Sequence, residues 1–363
     1  MRILTATVLT LSIWLSQAQA DPIQTQAGAM TATPVITGLD TPWAFGFLPD
    51  GTILVTERGG RLLAWRDGAV TEIANPPPVV VDGQGGLLDI LVPRDFAQSR
   101  ELFFTYAKKQ LWREGTAVYR ARLSADGTRL EGGKAIFEMT RGSGGGFHFG
   151  SRLAEARDGT LLVTIGDRGE DASAQDLGRH NGSVLRITRD GKAPSDNPFV
   201  GQGGAEPEIW SYGHRNPQGM AMDPAGQLWA VEHGARGGDE VNRIEPGRNY
   251  GWPVISYGTH YSGAKIGEGT AKEGLQQPVF YWDPSIAPSG MTFYDGAIAD
   301  WRGNAFIGSL KFDYISRLSG DPLREVERIE GPETERVRDV RQGPDGALWF
   351  LSEGNGALYR LAP

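Results

Sequence analysis

The chain has 363 residues, a formal net charge of −8, 51 glycines, 22 prolines and no cysteine. The acidic balance argues against nucleic acid or an anionic membrane surface as partner, and the lack of cysteine excludes disulfides, so packing alone must hold the core. A chain of this length buries enough apolar surface to do so.

Residues 1–20, MRILTATVLTLSIWLSQAQA, carry one basic residue, Arg2, an apolar run from Ile3 to Leu15, and AQA ahead of Asp21. That layout predicts a cleaved secretory signal, too short for a membrane anchor, with a mature chain 21–363 that is exported and not membrane-inserted. Beyond it, no long stretch shows 3.6-residue apolar periodicity, and Gly and Pro punctuate short apolar segments, which predicts strands and turns.

Four segments share one template: FLPDGTILVTERGG, EARDGTLLVTIGDRG, MDPAGQLWAVEHG and QGPDGALWFLSEG. Each runs from apolar residues through a Pro/Asp-Gly turn into an apolar strand, then an acidic residue with glycine close behind. The pattern predicts a hairpin whose second strand ends in a carboxylate: Glu57, Asp167, Glu232 and Glu353 in turn. The turn glycines are Gly51, Gly159, Gly226 and Gly346, so the first and third intervals each leave room for one diverged unit of about 60 residues. RELFFTYAKK with TAVYRARL fits the first of these, and NAFIGSLKFDYISRL the other. Six such units predict an all-β fold, a six-bladed β-propeller with four-stranded antiparallel blades, spanning 21–363 as one domain. The rival, a two-sheet sandwich, would not repeat one hairpin at this spacing.

Loops on one face of a propeller converge on its central channel, so polar residues that a plain hairpin does not need are informative. Gln84 lies among glycines in DGQGGLLDI, and His148, one of five histidines, lies in GGGFHFGSRL. Taken singly, each is first of all a turn residue; taken together, the glycines around His148 predict a floor on which a flat ligand can lie. Arg215 and Asn216, side by side in WSYGHRNPQGMAMDP, offer a guanidinium fork and an amide to one ligand. The stretch VEHGARGGDEVNRIEPGRNYGWP supplies Asp239, Glu240 and many carbonyl oxygens, a donor set suited to Ca²⁺ but without EF-hand spacing. Arg336 and Arg338 in ERVRDVRQGPDG would lie on the same face of a strand and repel each other unless they share an anion. With Lys311 of GSLKFDYISRL, they predict a ligand carrying several carboxylates or phosphates.

In these loops the sequence resembles the soluble pyrroloquinoline quinone (PQQ) dependent aldose sugar dehydrogenases of the glucose/sorbosone dehydrogenase family. The resemblance runs from TPWAFGFLPDG to LYRLAP, through GQGGLLDI, HFGSRL, EIWSYGHRNPQGMAM, HGARGGDEVN, NYGWP, QPVFYW and RDVRQGPDG. It implies a periplasmic enzyme that oxidises the anomeric carbon of aldoses to lactones, with His148 as general base and hydride transfer to PQQ. By the same resemblance Asp167 would orient His148, and Arg215 and Asn216 would contact the quinone edge. Lys311, Arg336 and Arg338 would hold the PQQ carboxylates, with Gln84 lining the pocket. The carbonyls of Gly234 and Ala235 would bind the Ca²⁺ at the cofactor, and Glu240 with the Tyr250 carbonyl a second, structural Ca²⁺. An aldose substrate, an external electron acceptor and a monomeric state are implied as well.

One residue and three segments depart from the family pattern. Ala235 stands where family members commonly have proline, TIGDRGEDASAQDLG matches only at its ends, and HYSGAKIGEGTAKEG and DPSIAPSG, the loops expected to meet the sugar, diverge. Two alternatives remain at this point: a calcium-dependent lactonase propeller, against which the surplus cationic charge speaks, and a non-catalytic ligand-binding propeller.

Overall fold

The four repeat hairpins form the two inner strands of four separate blades in the computed structural model, which describes residues 21–363. They pair Pro42–Phe47 with Ile53–Glu57, Leu153–Glu155 with Leu161–Ile165, Pro217–Met222 with Leu228–Glu232, and Val337–Gln342 with Leu348–Ser352. Their turn glycines all take positive φ, between 74° and 88°, which a β-carbon disfavours and glycine tolerates. The diverged units are the second and fifth blades, recognised in the sequence by their second and third strands: Glu101–Gln110 with Arg113–Leu123, and Ala305–Ser309 with Tyr314–Ser319. The expected secretory signal, residues 1–20, lies outside the described residues.

Each blade is an antiparallel sheet, and the innermost strands contact one another around a ring of six. Both faces of each sheet are covered. Six apolar clusters lie between neighbouring blades, such as Leu54, Leu62, Leu87 and Phe104 between the first and second. This is why strands such as Ile53–Glu57 and Leu161–Ile165 are buried along their whole length instead of alternating. The last blade is completed from the other end of the chain: Gly28–Thr37 pairs with Ala357–Ala362, so early and late residues close the ring. Ile23–Thr25 then adds a strand, making this blade five-stranded where four were expected. No helix among the described residues is long and apolar enough to cross a membrane.

The middle of the ring is filled by charge. Asp89, Arg152, Asp339 and Arg341 come from the inner edges of three blades; Arg152 reaches Asp89 at 3.2 Å and Asp339 at 3.0 Å. Arg341 meets the same two carboxylates at 2.6 and 2.8 Å. Two cations and two anions alternate there, so the buried charges offset one another.

Candidate active site on the upper face

The second strand of each blade ends on one face of the ring, called upper here, and the four strand-end carboxylates do related work there. Glu57 accepts the Asp40 N–H and pairs with Arg61; Glu232 accepts from the Arg215 N–H and meets His214 Nδ1 at 2.8 Å. Glu353 joins Arg336 and Arg338, and Asp167 joins His148. One repeated acid thus ties down the top loop of four blades.

His148 Nδ1 lies 2.6 Å from Asp167 Oδ1, and the same carboxylate accepts the Gly169 N–H at 2.7 Å and Trp252 Nε1–H at 2.8 Å. An acceptor so loaded takes the imidazole Nδ1 proton as a hydrogen bond, which leaves Nε2 as the basic nitrogen, and Nε2 makes no hydrogen bond to the described residues. The His148 main chain is held by its N–H to Gln84 Oε1 at 2.9 Å, while the Gly150 N–H donates to Asn216 Oδ1 at 3.0 Å. Several glycines here serve close backbone contact and not an open floor. A β-carbon on Gly166 would lie 2.1 Å from the His148 carbonyl oxygen, and one on Gly146 would lie 3.0 Å from Gly83.

Three adjoining cavities share His233. The largest, about 1060 Å³, is lined by Gly234, Ala235, Lys311 and Arg336 along with Tyr257 and Tyr261. A smaller one is lined by Gln84, Arg338 and Glu353, and a third by Arg215, Glu232, Glu240, Tyr250 and Trp252. Of the expected site residues, only His148, Asp167 and Asn216 lie outside these linings. They join through hydrogen bonds, His148 to Gln84, Asp167 to Trp252 and the Arg215 carbonyl, and Asn216 to the His233 N–H and to the loop that carries His148.

The arginine pair departs from its expected geometry. The strand begins at Val337, so Arg336 precedes it with φ 51°, and the anion the two share is Glu353. Arg336 Nε donates to one Glu353 oxygen at 3.0 Å and Arg338 Nε to the other at 2.8 Å. Arg338 Nη1 also donates to Gln218 Oε1 at 3.0 Å. Glu353 and Asp283 against Lys311, Arg336, Arg338, Arg58 and Arg236 leave the walls of these two cavities cationic, so an anionic ligand remains favoured.

The metal expectations meet a mixed setting. Arg215 Nη1 donates to the Gly234 carbonyl at 2.5 Å, so a cation on that oxygen would displace the guanidinium. Asp239 fixes the loop by accepting from the Gly234 N–H, from Ser285 Oγ and from the Ala287 N–H. Glu240 faces Glu232 directly across two paired strands, and burial together with the Glu232 charge raises its pKa. Two facing carboxylates beside Tyr250 in one small cavity are a donor set that a hard divalent cation would relieve. At the expected cofactor-binding residues, the buried Arg215 Nε and Asn216 Nδ2 have no hydrogen-bond acceptor among the described residues, as fits a place left for an oxygen-rich ligand.

Sequence reasoning missed several residues that shape this site. Trp252 steadies Asp167, and its signal was the NYGWP segment already noted. His233 donates from Nε2 to the Pro288 carbonyl at 2.7 Å, and burial pulls its pKa down to about 3, with Arg215, Arg338 and His148 adding to the shift, so it stays neutral. Asp171 is raised by burial and by the Asp167 carboxylate near it. Away from the site, His180, Glu206 and Glu208 gather as a metal site would. There the Thr140 N–H donates to His180 Nδ1, so the neutral ring carries its proton on Nε2, toward Glu208, and is not free to ligate through it.

Residues 39–360 match the family model described as Glucose / Sorbosone dehydrogenase. The chain belongs to this family. Aldose sugar dehydrogenase YliI of Escherichia coli (strain K12) is 44% identical over 336 residues, covering 90% of this chain and 91% of the relative. The crystal structure of the soluble aldose sugar dehydrogenase from Escherichia coli in the apo-form superposes with a TM-score of 0.89 at 41% identity, over 92% of this chain and 99% of that one. A PQQ-bound aldose sugar dehydrogenase from Streptomyces coelicolor gives a TM-score of 0.76 at 27% identity, over 94% of this chain and 99% of that one.

Proposed function

We propose that the protein is a PQQ- and Ca²⁺-dependent aldose dehydrogenase that oxidises the anomeric carbon of sugars to lactones, with His148 as general base. The observation that carries the reading is the His148–Asp167 pair at 2.6 Å, with imidazole Nε2 making no hydrogen bond to the described residues, joined through Gln84 to a cavity lined by Arg336 and Arg338. Its family membership and the PQQ-bound relative support the same reading. The residue 1–20 sequence, with its apolar run and AQA, supports a periplasmic location.

Oxidation at the anomeric carbon removes a hydride from carbon and a proton from its hydroxyl. PQQ, when bound, would supply the two-electron acceptor, and Ca²⁺ would supply Lewis-acid chemistry to it. His148 Nε2 takes the hydroxyl proton, and Asp167 balances the imidazolium through Nδ1. Arg215 and Asn216 supply donors, a guanidinium and the unpartnered Nδ2, where negative charge develops on the acceptor. Lys311, Arg336 and Arg338 would hold its carboxylates, and Gly234 and Ala235 carbonyls the cation. Glu240 and the Tyr250 carbonyl would take the second Ca²⁺. An external electron acceptor would take the two electrons of each turnover, and the protein would act as a monomer.

Reconstitution tests this reading. Chelator-stripped protein is titrated with PQQ, with and without Ca²⁺, while dye reduction is followed with a panel of aldoses. Turnover should require both additions. Absence of PQQ binding under every metal condition would favour a binding propeller, and consumption of lactones without dye reduction a lactonase.

A further inference from the structure

The base is held in a backbone conformation that it would not choose. His148 has φ 49°, in the left-handed region, and Arg168, one residue after its partner Asp167, has φ 61°. Something outside the loop must therefore over-determine the turn. Gln84 and Asn216 hold it at His148 and Gly150. Thr116 Oγ1 holds the Phe149 carbonyl at 2.8 Å, and a further hold is at Phe147, the residue just before the base. There the Arg168 guanidinium donates to the Phe147 carbonyl.

Arg168 is the largest charged side chain that is fully buried, 1% exposed, and its own fixing is complete on three sides. Its Nη2 donates to Glu114 Oε1 at 3.1 Å, and its guanidinium stacks 3.4 Å from the Phe149 ring centre. Glu114 Oε1 in turn accepts the Gly146 N–H at 3.3 Å, and the Glu114 and Ser143 main chains exchange hydrogen bonds at 3.3 and 3.1 Å. The guanidinium keeps this place although its Nε has no hydrogen-bond partner among the described residues. An apolar side chain would pack on Phe149 without that loss, but it could not hold the Phe147 carbonyl.

We propose that Arg168, braced by Glu114, is a positioning residue for the general base. Asp167 fixes the imidazole and its neighbour Arg168 fixes the main chain, so one loop grips the base at both ends. The proposal rests on the assignment of His148 as base, but its geometry does not involve the cofactor.

The test compares wild type with Arg168→Lys, which keeps the charge near Glu114 but cannot stack flat and serve both acceptors. In loaded enzyme kcat should fall about 10- to 100-fold, as small misplacements of a reacting group do, with KM and PQQ affinity within about 2-fold. In ligand-free protein the rate of His148 modification by diethyl pyrocarbonate, read by peptide mass spectrometry, should rise several-fold while the other histidines keep their rates. Glu114→Gln retains the acceptor oxygen and should move both readouts the same way by less. It carries the test alone if Arg168→Lys does not fold. Unchanged kcat together with unchanged His148 modification would overturn the proposal and leave Arg168 a purely structural residue. Wild-type protein that oxidises no sugar would instead count against the dehydrogenase reading, and His148 modification would then decide the positioning claim.

Discussion

Arg336 and Arg338 show what a residue pattern reveals and what it hides. Alternation along a strand was the wrong reason for bringing the two guanidinium groups together, since Arg336 precedes the strand with φ 51°, but the groups do meet and their mutual repulsion required an anion. The anion proved to be Glu353, already visible as a strand-end carboxylate, but its pairing spans blade geometry that spacing does not encode. Burial raises the Glu353 pKa, yet Arg338 and Arg336 outweigh it and hold the group below its ordinary value of 4.5. Since the unfolded chain then binds this proton more readily, the carboxylate stabilises the fold above about pH 4.5, and that contribution is lost as pH falls further. Glu353→Gln should therefore be less stable than wild type near neutrality and lose less stability on acidification, measured by urea unfolding across pH. A variant with the wild-type acid slope would show that the pair does not hold the carboxylate ionised.

At the scale of elements, the hairpin template exposed four blades because their turn chemistry is local: a Pro/Asp-Gly turn followed by a buried strand. The second and fifth blades lack that turn and could be placed only by interval and by their apolar runs. The closing strand Gly28–Thr37 escaped notice because its pairing with Ala357–Ala362 joins opposite ends of the chain, and no local periodicity reports such contact. The glycines near His148 were legible as special but not as to purpose, since close backbone approach and ligand space call for the same residue. The inner strands meet around the charge cluster, where Arg152 bridges Asp89 and Asp339 and donates Nε to the Gln218 carbonyl. Breaking a buried ion pair from one side costs roughly 3–5 kcal/mol, so Arg152→Met should lower unfolding free energy by about 3 kcal/mol, because Arg341 still pairs with both acids. A loss below about 1 kcal/mol would mean that Arg341 alone balances the cluster.

For the whole molecule, the ring brings residues from Gln84 to Glu353 onto one face, so a chain read as scattered turn residues becomes a cavity with a cationic wall and a tethered imidazole. The motifs made that convergence legible in outline, while the partners that set each side chain, such as Trp252, Gln218 and Glu114, lie on other blades and needed the fold. The central claim is that the His148–Asp167 pair removes the proton when an aldose is oxidised. The most direct measurement is a single turnover, following cofactor reduction after mixing an aldose with PQQ- and Ca²⁺-loaded wild type and with equally loaded His148→Ala. The account predicts that the variant binds PQQ as wild type does and reduces it about 10²- to 10⁴-fold more slowly. Reduction at the wild-type rate would contradict it.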